Sequence, residues 1–461
     1  MRKLGYRVVD LLVDHWATLR DQPAGRRTGR EELERLLREP PPEDGRDPEE
    51  VLRRVEIDVL GNMGRVHHPR FFAFVPGPGN WIGVLGDLLA AGTNVFAGTW
   101  FEASGPAVVE LVTVDWLRTW CGLPARAGGL FVSGGSMANL TALAVARRIA
   151  LEDRVSGAVA YCSDQTHSAV DRAFAVLGFE HVQVRRLRSD DDQRLSIPAL
   201  QDAIAADRSA GRRPFCVVAN AGTTNTGAVD PLADVADLCQ AEGIWMHADA
   251  AYGGAALLCE RGRRELEGLE RSDSLALDPH KWLFQPFEIG CVLVRDRRWL
   301  PTTFHVLPDY LRDVETRHGE VNFADYGIQL TRGFRALKLW MSIQVFGVAE
   351  FRRAVERGIE NAERAEKLLR RAGVWRIVTP ARMGVVTFTW SPPGVPSAEA
   401  REATQGLVEA ALEDGTTLIS STTLGGEPVL RICAINPRTT TADLETSVER
   451  LAELAGRAPR A

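Results

Sequence analysis

Apolar and polar positions along this chain come in blocks, and the blocks change character near residue 80. Within residues 5–20, Val8, Val9, Leu12, Trp16 and Leu19 fall close to helical spacing, which predicts an amphipathic helix. A charged stretch carrying Pro40-Pro41-Pro42 follows, then a second helical pattern, PEEVLRRVEIDVLGNM. The next segment, HHPRFFAFVPGPGN, is rich in Pro, Gly and Phe and reads as an irregular connector. Beyond it, short continuous apolar runs recur: GGLFVS, AVAYCS, PFCVVANAG, IWMHADA, SLALD and GCVLVRD. They have the length and composition of strands buried on both faces. Helical patterns such as SMANLTALAVARRIA and PLADVADLCQAEG separate several of them. The alternation predicts an α/β fold with a mostly parallel sheet covered by helices. A long helical stretch beginning ALKLWMSIQVF then leads to a last αβ segment with strands VVTFTW and VLRICA. The expected organisation is an N-terminal helical segment over 1–80, a large α/β domain over 81–341 and a small C-terminal α+β domain over 342–461. No repeat recurs at a fixed period.

Composition narrows the class of function. Apolar residues make up 45% of the 461 and charged residues 25%, the balance of a globular protein with a large core. A formal net charge of −6 disfavours broad contact with nucleic acid. No apolar run approaches the roughly 20 residues that span a bilayer. The first residues, MRKLGYRVVDLLVDHW, are interrupted by Arg7, Asp10 and Asp14, unlike a signal peptide. Seven scattered cysteines include no C-x-x-C pair, so neither a disulfide framework nor a metal site is expected. A cytoplasmic enzyme without a metal is the expectation.

Candidate chemistry sits in four short segments on or beside the strands: SGGSMAN (133–139), DQTHSAVDRA (164–173), HADAAYGG (247–254) and DPHKW (278–282). Ser133-Gly134-Gly135-Ser136 follows a strand and opens a helix. Glycines there let backbone N–H groups approach a ligand, the helix start favours an anion, and Ser136 adds a hydroxyl. A plain strand-to-helix turn with a serine cap accounts for the same residues. Asp249 ends the apolar strand IWMHA, where a carboxylate is costly unless its charge is paired. A protonated ring nitrogen would be such a partner, and the small Ala250 and Ala251 leave room for a flat ring; a capping or salt-bridging Asp is the alternative. Lys281 follows the strand SLALD, at the edge where α/β sheets place their sites, and precedes Trp282, Leu283 and Phe284. A lysine in apolar surroundings forms a Schiff base with an aldehyde more readily, although an isolated lysine is more often a surface group. His280 is equally readable as structural. His167 could stack on a ring face or could cap the next helix, and Thr224, in NAGTTNTG (220–227), offers a hydroxyl near the same sheet edge or belongs to a simple loop.

Taken in order, these segments resemble the group II pyridoxal-phosphate (PLP) decarboxylases, which include the aromatic L-amino acid, histidine, tyrosine and glutamate decarboxylases. The similarity runs from HPRFFAF (68–74) to LRICAINPRTT (430–440). It implies a fold-type I architecture and a homodimer with active sites at the interface. It also implies that Lys281 carries PLP, Asp249 pairs the pyridine nitrogen, Ala251 packs on the ring and His167 stacks on it. Gly135 and Ser136 would hold phosphate, Thr224 and His280 would lie beside the cofactor, and Arg431 would support the site from the small domain. PDYL (308–311) resembles the family's catalytic loop, with Tyr310 as the group that returns a proton to Cα. Relatives with Phe in that place tend to form aldehydes, so Tyr310 favours amine release.

The chain also departs from its aromatic relatives. Asp278 stands where they often carry Asn, Val66 precedes His67 where they carry Trp, and Glu102 in AGTWFEASGPAVVE resembles glutamate decarboxylases instead. Phe74, Trp100 and Phe287, with Phe71, Phe72 and Trp81, suggest an apolar or aromatic side-chain pocket, though such residues are core more often than not. The expected reaction is decarboxylation of an L-amino acid to its amine. Oxidative deamination or another PLP reaction is the alternative, and a non-catalytic protein on the same fold is a further one.

Overall fold

In the computed structural model, which describes residues 1–306 and 319–457, all six apolar runs of the central region form strands. They are β1 (Gly128–Val132), β2 (Ala158–Ser163), β4 (Arg213–Asn220), β5 (Trp245–Asp249), β6 (Ser274–Leu277) and β7 (Gly290–Val294). A seventh, β3 (Val184–Leu187), joins the edge, giving the order β1-β7-β6-β5-β4-β2-β3. Only β7 runs against its neighbours, so the sheet is mostly parallel as expected. The two glycines of GGLFV have a steric cause: a Cβ on Gly129 would sit 1.8 Å from the Val292 carbonyl oxygen of β7. Helix Gly135–Leu151 lays Ala138, Ala142, Leu143, Val145 and Ala146 on the sheet, all fully buried. Burying a side chain such as Leu143 stabilises by roughly 1.5–3 kcal/mol. β1 is further pinned by a buried ion pair. Glu110, on helix Trp100–Trp120, accepts the Phe131 N–H at 2.9 Å and pairs with Arg332 at 2.6 Å.

Two compact units result, one comprising Gly77–Ile359 and the other Met1–Pro76 together with the chain from Glu360 onward. The second unit holds a separate antiparallel sheet of β8 (Trp375–Arg382), β9 (Val385–Trp390), β10 (Ser420–Leu424) and β11 (Glu427–Cys433), in the order β10-β11-β9-β8. The Pro/Gly/Phe connector is tied into this unit. Phe72 is fully buried in its core and its N–H donates to the Leu418 carbonyl at 2.7 Å. Arg431, on β11, donates to the Phe74 carbonyl at 2.5 Å and to Ser420 Oγ at 3.1 Å. The N-terminal helix, Arg2–Ala17, is followed by Arg20, whose guanidinium pairs with Asp443 at 2.5 Å. No helix among the described residues is long and apolar enough to cross a membrane.

Candidate active site

β1, β2, β4, β5 and β6 point the same way, and residues just past their C-terminal ends line one cavity of about 410 Å³. That is the edge at which open α/β sheets bind ligands. β1 leads into the turn Ser133-Gly134-Gly135-Ser136 on the cavity wall. Helix Gly135–Leu151 starts after Gly134 with no side-chain cap, so the serine-capped turn does not form and the first N–H groups of the helix are left without a side-chain acceptor. A Cβ on Gly135 would lie 2.8 Å from Asp278 Oδ2 and 3.0 Å from Ala251 Cβ, so a larger residue there would force its neighbours to shift. Ser136 lines the same wall.

β5 delivers Asp249, only 8% exposed. Its Oδ1 accepts the Ala251 N–H at 3.2 Å and its Oδ2 accepts Asn139 Nδ2 at 3.0 Å. No Lys or Arg among the described residues forms an ion pair with it, and the carboxylate keeps acceptor capacity for a cationic N–H in the cavity. β6 delivers Asp278, His280 and Lys281. Lys281 Nζ lies 2.9 Å from Asp278 Oδ2, while Asp278 Oδ1 is buried with no hydrogen-bond partner. His280 accepts the Ile289 N–H through Nδ1 at 3.2 Å, and burial pushes its pKa below the usual histidine value.

β2 leads to His167, which both caps helix Ser168–Val176, accepting the Ala169 N–H through Nδ1 at 3.1 Å, and lines the cavity. The capping role and the site role coexist in one side chain. Past β4, Thr224 and Asn220 complete the wall. Asn220 is buried, and its Nδ2 donates to Asp230, Ser163 and Thr166 at 2.9–3.1 Å, which ties the ends of β4 and β2 together.

The cavity thus gathers Gly135, Ser136, His167, Thr224, Asp249, Ala251, His280 and Lys281. Trp100 and Phe287 are not on its wall. Trp100 packs against the sheet core and its N–H donates to Asn322, whereas Phe287 is exposed beside the His280 ring. Phe74 belongs to the other unit and is exposed, and Tyr310 lies outside the described residues. The sequence reading missed Asn139, Asn220 and Tyr252 on the wall and His247 behind it. Two of these had a signal. His247 is two residues before Asp249 and so shares its face of the strand, and Asn139 is a polar residue within an otherwise apolar helix face.

Comparison with known proteins bears directly on this arrangement. Residues 31–391 match the family described as the pyridoxal-dependent decarboxylase conserved domain. The chain is 48% identical over 457 residues to an aromatic-L-amino-acid decarboxylase of Bacillus atrophaeus, covering 99% of this chain and 95% of that protein. It is 31% identical over 448 residues to a phenylacetaldehyde synthase of Arabidopsis thaliana, covering 94% and 91%. Among solved structures, Oryza sativa TDC with PLP and tryptamine superposes with a TM-score of 0.93 at 29% identity, covering 99% of this chain and 97% of that one.

Proposed function

Because the chain belongs to the pyridoxal-dependent decarboxylase family and is a PLP-dependent amino acid decarboxylase, we propose that its substrate is an aromatic L-amino acid, with Lys281 carrying the cofactor. The observation that carries the substrate class is the 48% identity, over nearly the whole chain, to an aromatic-L-amino-acid decarboxylase. The cavity supports the cofactor assignment. An uncapped helix start lined by glycines suits a phosphate, a buried carboxylate with no Lys or Arg partner among the described residues suits a protonated pyridine, and a lysine lies at the same strand edge.

PLP, when bound, supplies an electron-withdrawing ring that accepts the electron pair released as the Cα–carboxylate bond breaks. In this reading Gly135 and Ser136 anchor the phosphate and Asp249 holds the proton on the ring nitrogen. Ala251 gives the ring a flat floor, and His167 lies across its face. Asp278 pairs with the Lys281 amine at 2.9 Å before the cofactor joins that lysine. Thr224 and His280 border the ring, and Tyr310 returns the proton to Cα. Phe74, Trp100 and Phe287 remain candidates for the substrate side of the site.

We place the protein in the cytoplasm, supported by seven scattered, buried cysteines that include no C-x-x-C pair. We also assign a homodimer with active sites at its interface. Leu88, Leu89, Phe101, Val108 and Val112 are all exposed on helices Trp81–Gly92 and Trp100–Trp120, an apolar surface that a second copy would cover. The test is to load the protein with PLP, reduce with borohydride and map the adduct, then measure CO2 from each of the twenty amino acids. An adduct on Lys281 and CO2 chiefly from Trp, Tyr or Phe is expected. An adduct elsewhere refutes the lysine assignment, and CO2 chiefly from an acidic or small amino acid refutes the substrate class.

A further inference from the structure

Behind the cavity, four side chains form an unbroken hydrogen-bonded line that ends on Asp249. Trp245 Nε1 donates to Ser274 Oγ at 2.9 Å, and Ser274 Oγ lies 2.9 Å from His247 Nδ1. His247 Nε2 lies 2.7 Å from Asn139 Oδ1, and Asn139 Nδ2 donates to Asp249 Oδ2 at 3.0 Å. Ser274, His247 and Asn139 are each no more than 1% exposed, and Trp245 is 6% exposed, so the line is shielded from bulk solvent.

Donor and acceptor chemistry allows this line one fully satisfied direction. The indole N–H of Trp245 can only donate, so it occupies an acceptor site on Ser274 and leaves the Ser274 hydroxyl proton to be given away. Among the described residues its one acceptor is His247 Nδ1. His247 must then carry its proton on Nε2 and donate to Asn139 Oδ1, which turns the Asn139 amide so that Nδ2 faces Asp249. The last donor therefore meets an accepting oxygen of Asp249, a bond that is stronger to the ionised carboxylate than to the protonated acid. Running the line backwards would need a protonated Asp249 donating to the amide. It would also leave the Ser274 hydroxyl proton buried with no acceptor, at a cost of about 1–3 kcal/mol. Burial also pushes the His247 pKa down to about 4, so the ring stays neutral and keeps a single proton to place. His167 and His247 both interact electrostatically with Asp249.

We propose that Trp245, Ser274, His247 and Asn139 form a relay of fixed direction that holds Asp249 ionised and oriented toward the cofactor's ring nitrogen. The four are positioning residues, acting through Asp249, and Trp245 sets the direction from the far end. The inference rests on the assignment of Asp249 as the partner of that nitrogen. The test is solid-state 15N NMR of protein loaded with PLP labelled at the pyridine nitrogen, which reads ring protonation directly. The wild type is expected at the protonated position. Asn139→Leu, which removes the final donor, should move the resonance toward the unprotonated position. Trp245→Phe keeps the bulk and removes only the N–H, and should move it the same way by less. It also serves if Asn139→Leu fails to fold. Asp249→Ala is the control. A resonance that moves in Asp249→Ala but stays at the wild-type position in the relay variants overturns the relay. One that does not move even in Asp249→Ala overturns the Asp249 assignment on which it rests.

Discussion

Asp249 has the heaviest electrostatic duty in the site, since a carboxylate with no Lys or Arg partner among the described residues is tolerated in an apolar strand only if it is well bonded. It accepts two hydrogen bonds from the protein and faces the cavity with the rest of its acceptor capacity. Removing a preorganised charge of this kind typically costs about 3 kcal/mol or more, so Asp249→Ala should lower kcat by roughly 100-fold or more. PLP should still be reducible onto Lys281. Turnover and adduct mass measured on the same preparation check both points, and near-normal kcat in a PLP-loaded variant would rule the role out. At this scale much of the wall was legible in the sequence, because the order of short motifs along an α/β chain maps onto successive strand ends at one sheet edge. Asn220 was not legible, because its partners at the end of β2 are brought beside it only by the sheet order. Asp278 looked like an unfavourable neighbour for a phosphate, and in the cofactor-free chain its charge is paired with Lys281.

The central strands were readable because burial on both faces makes them continuous apolar runs, while β3 (VRRL) was missed because an edge strand can carry arginines, here paired with Asp207 and Asp171. β8 and β10 were missed for a related reason, since each flanks a small antiparallel sheet and carries polar residues. β5 carries a pH dependence of its own through His247. Its pKa is about 4 in the folded chain against about 6.5 when unfolded, so the folded state holds fewer protons between those values. Stability from this group is therefore complete above pH 6.5 and is lost as pH falls toward 4, with a total of about 3 kcal/mol. Urea unfolding of the cofactor-free protein between pH 7 and 4 should show this decline, and His247→Gln should flatten part of it. An identical pH slope in the two proteins would contradict the assignment.

The architecture of the whole molecule was legible as α/β with a smaller second sheet, because the period of the apolar pattern distinguishes buried parallel strands from helices. What the pattern did not convey is that the N-terminal segment and the chain from Glu360 onward share one compact unit, since that grouping depends on pairs such as Arg20–Asp443. The homodimer belongs at this scale too. Sedimentation should give a mass twice the 50.6 kDa of the chain, and Phe101→Asp, placing a charge on the exposed apolar surface, should shift it toward monomer. A monomeric wild type would contradict the assignment. The central claim is that the protein converts an aromatic L-amino acid to its amine and CO2, and the most direct measurement is a product balance under air. PLP-loaded wild type should release amine and CO2 in equal amounts with almost no peroxide, and Lys281→Ala should release neither. Tyr310→Phe should form less amine and more aldehyde, ammonia and peroxide. Aldehyde and peroxide as the main products of the wild type would contradict the account.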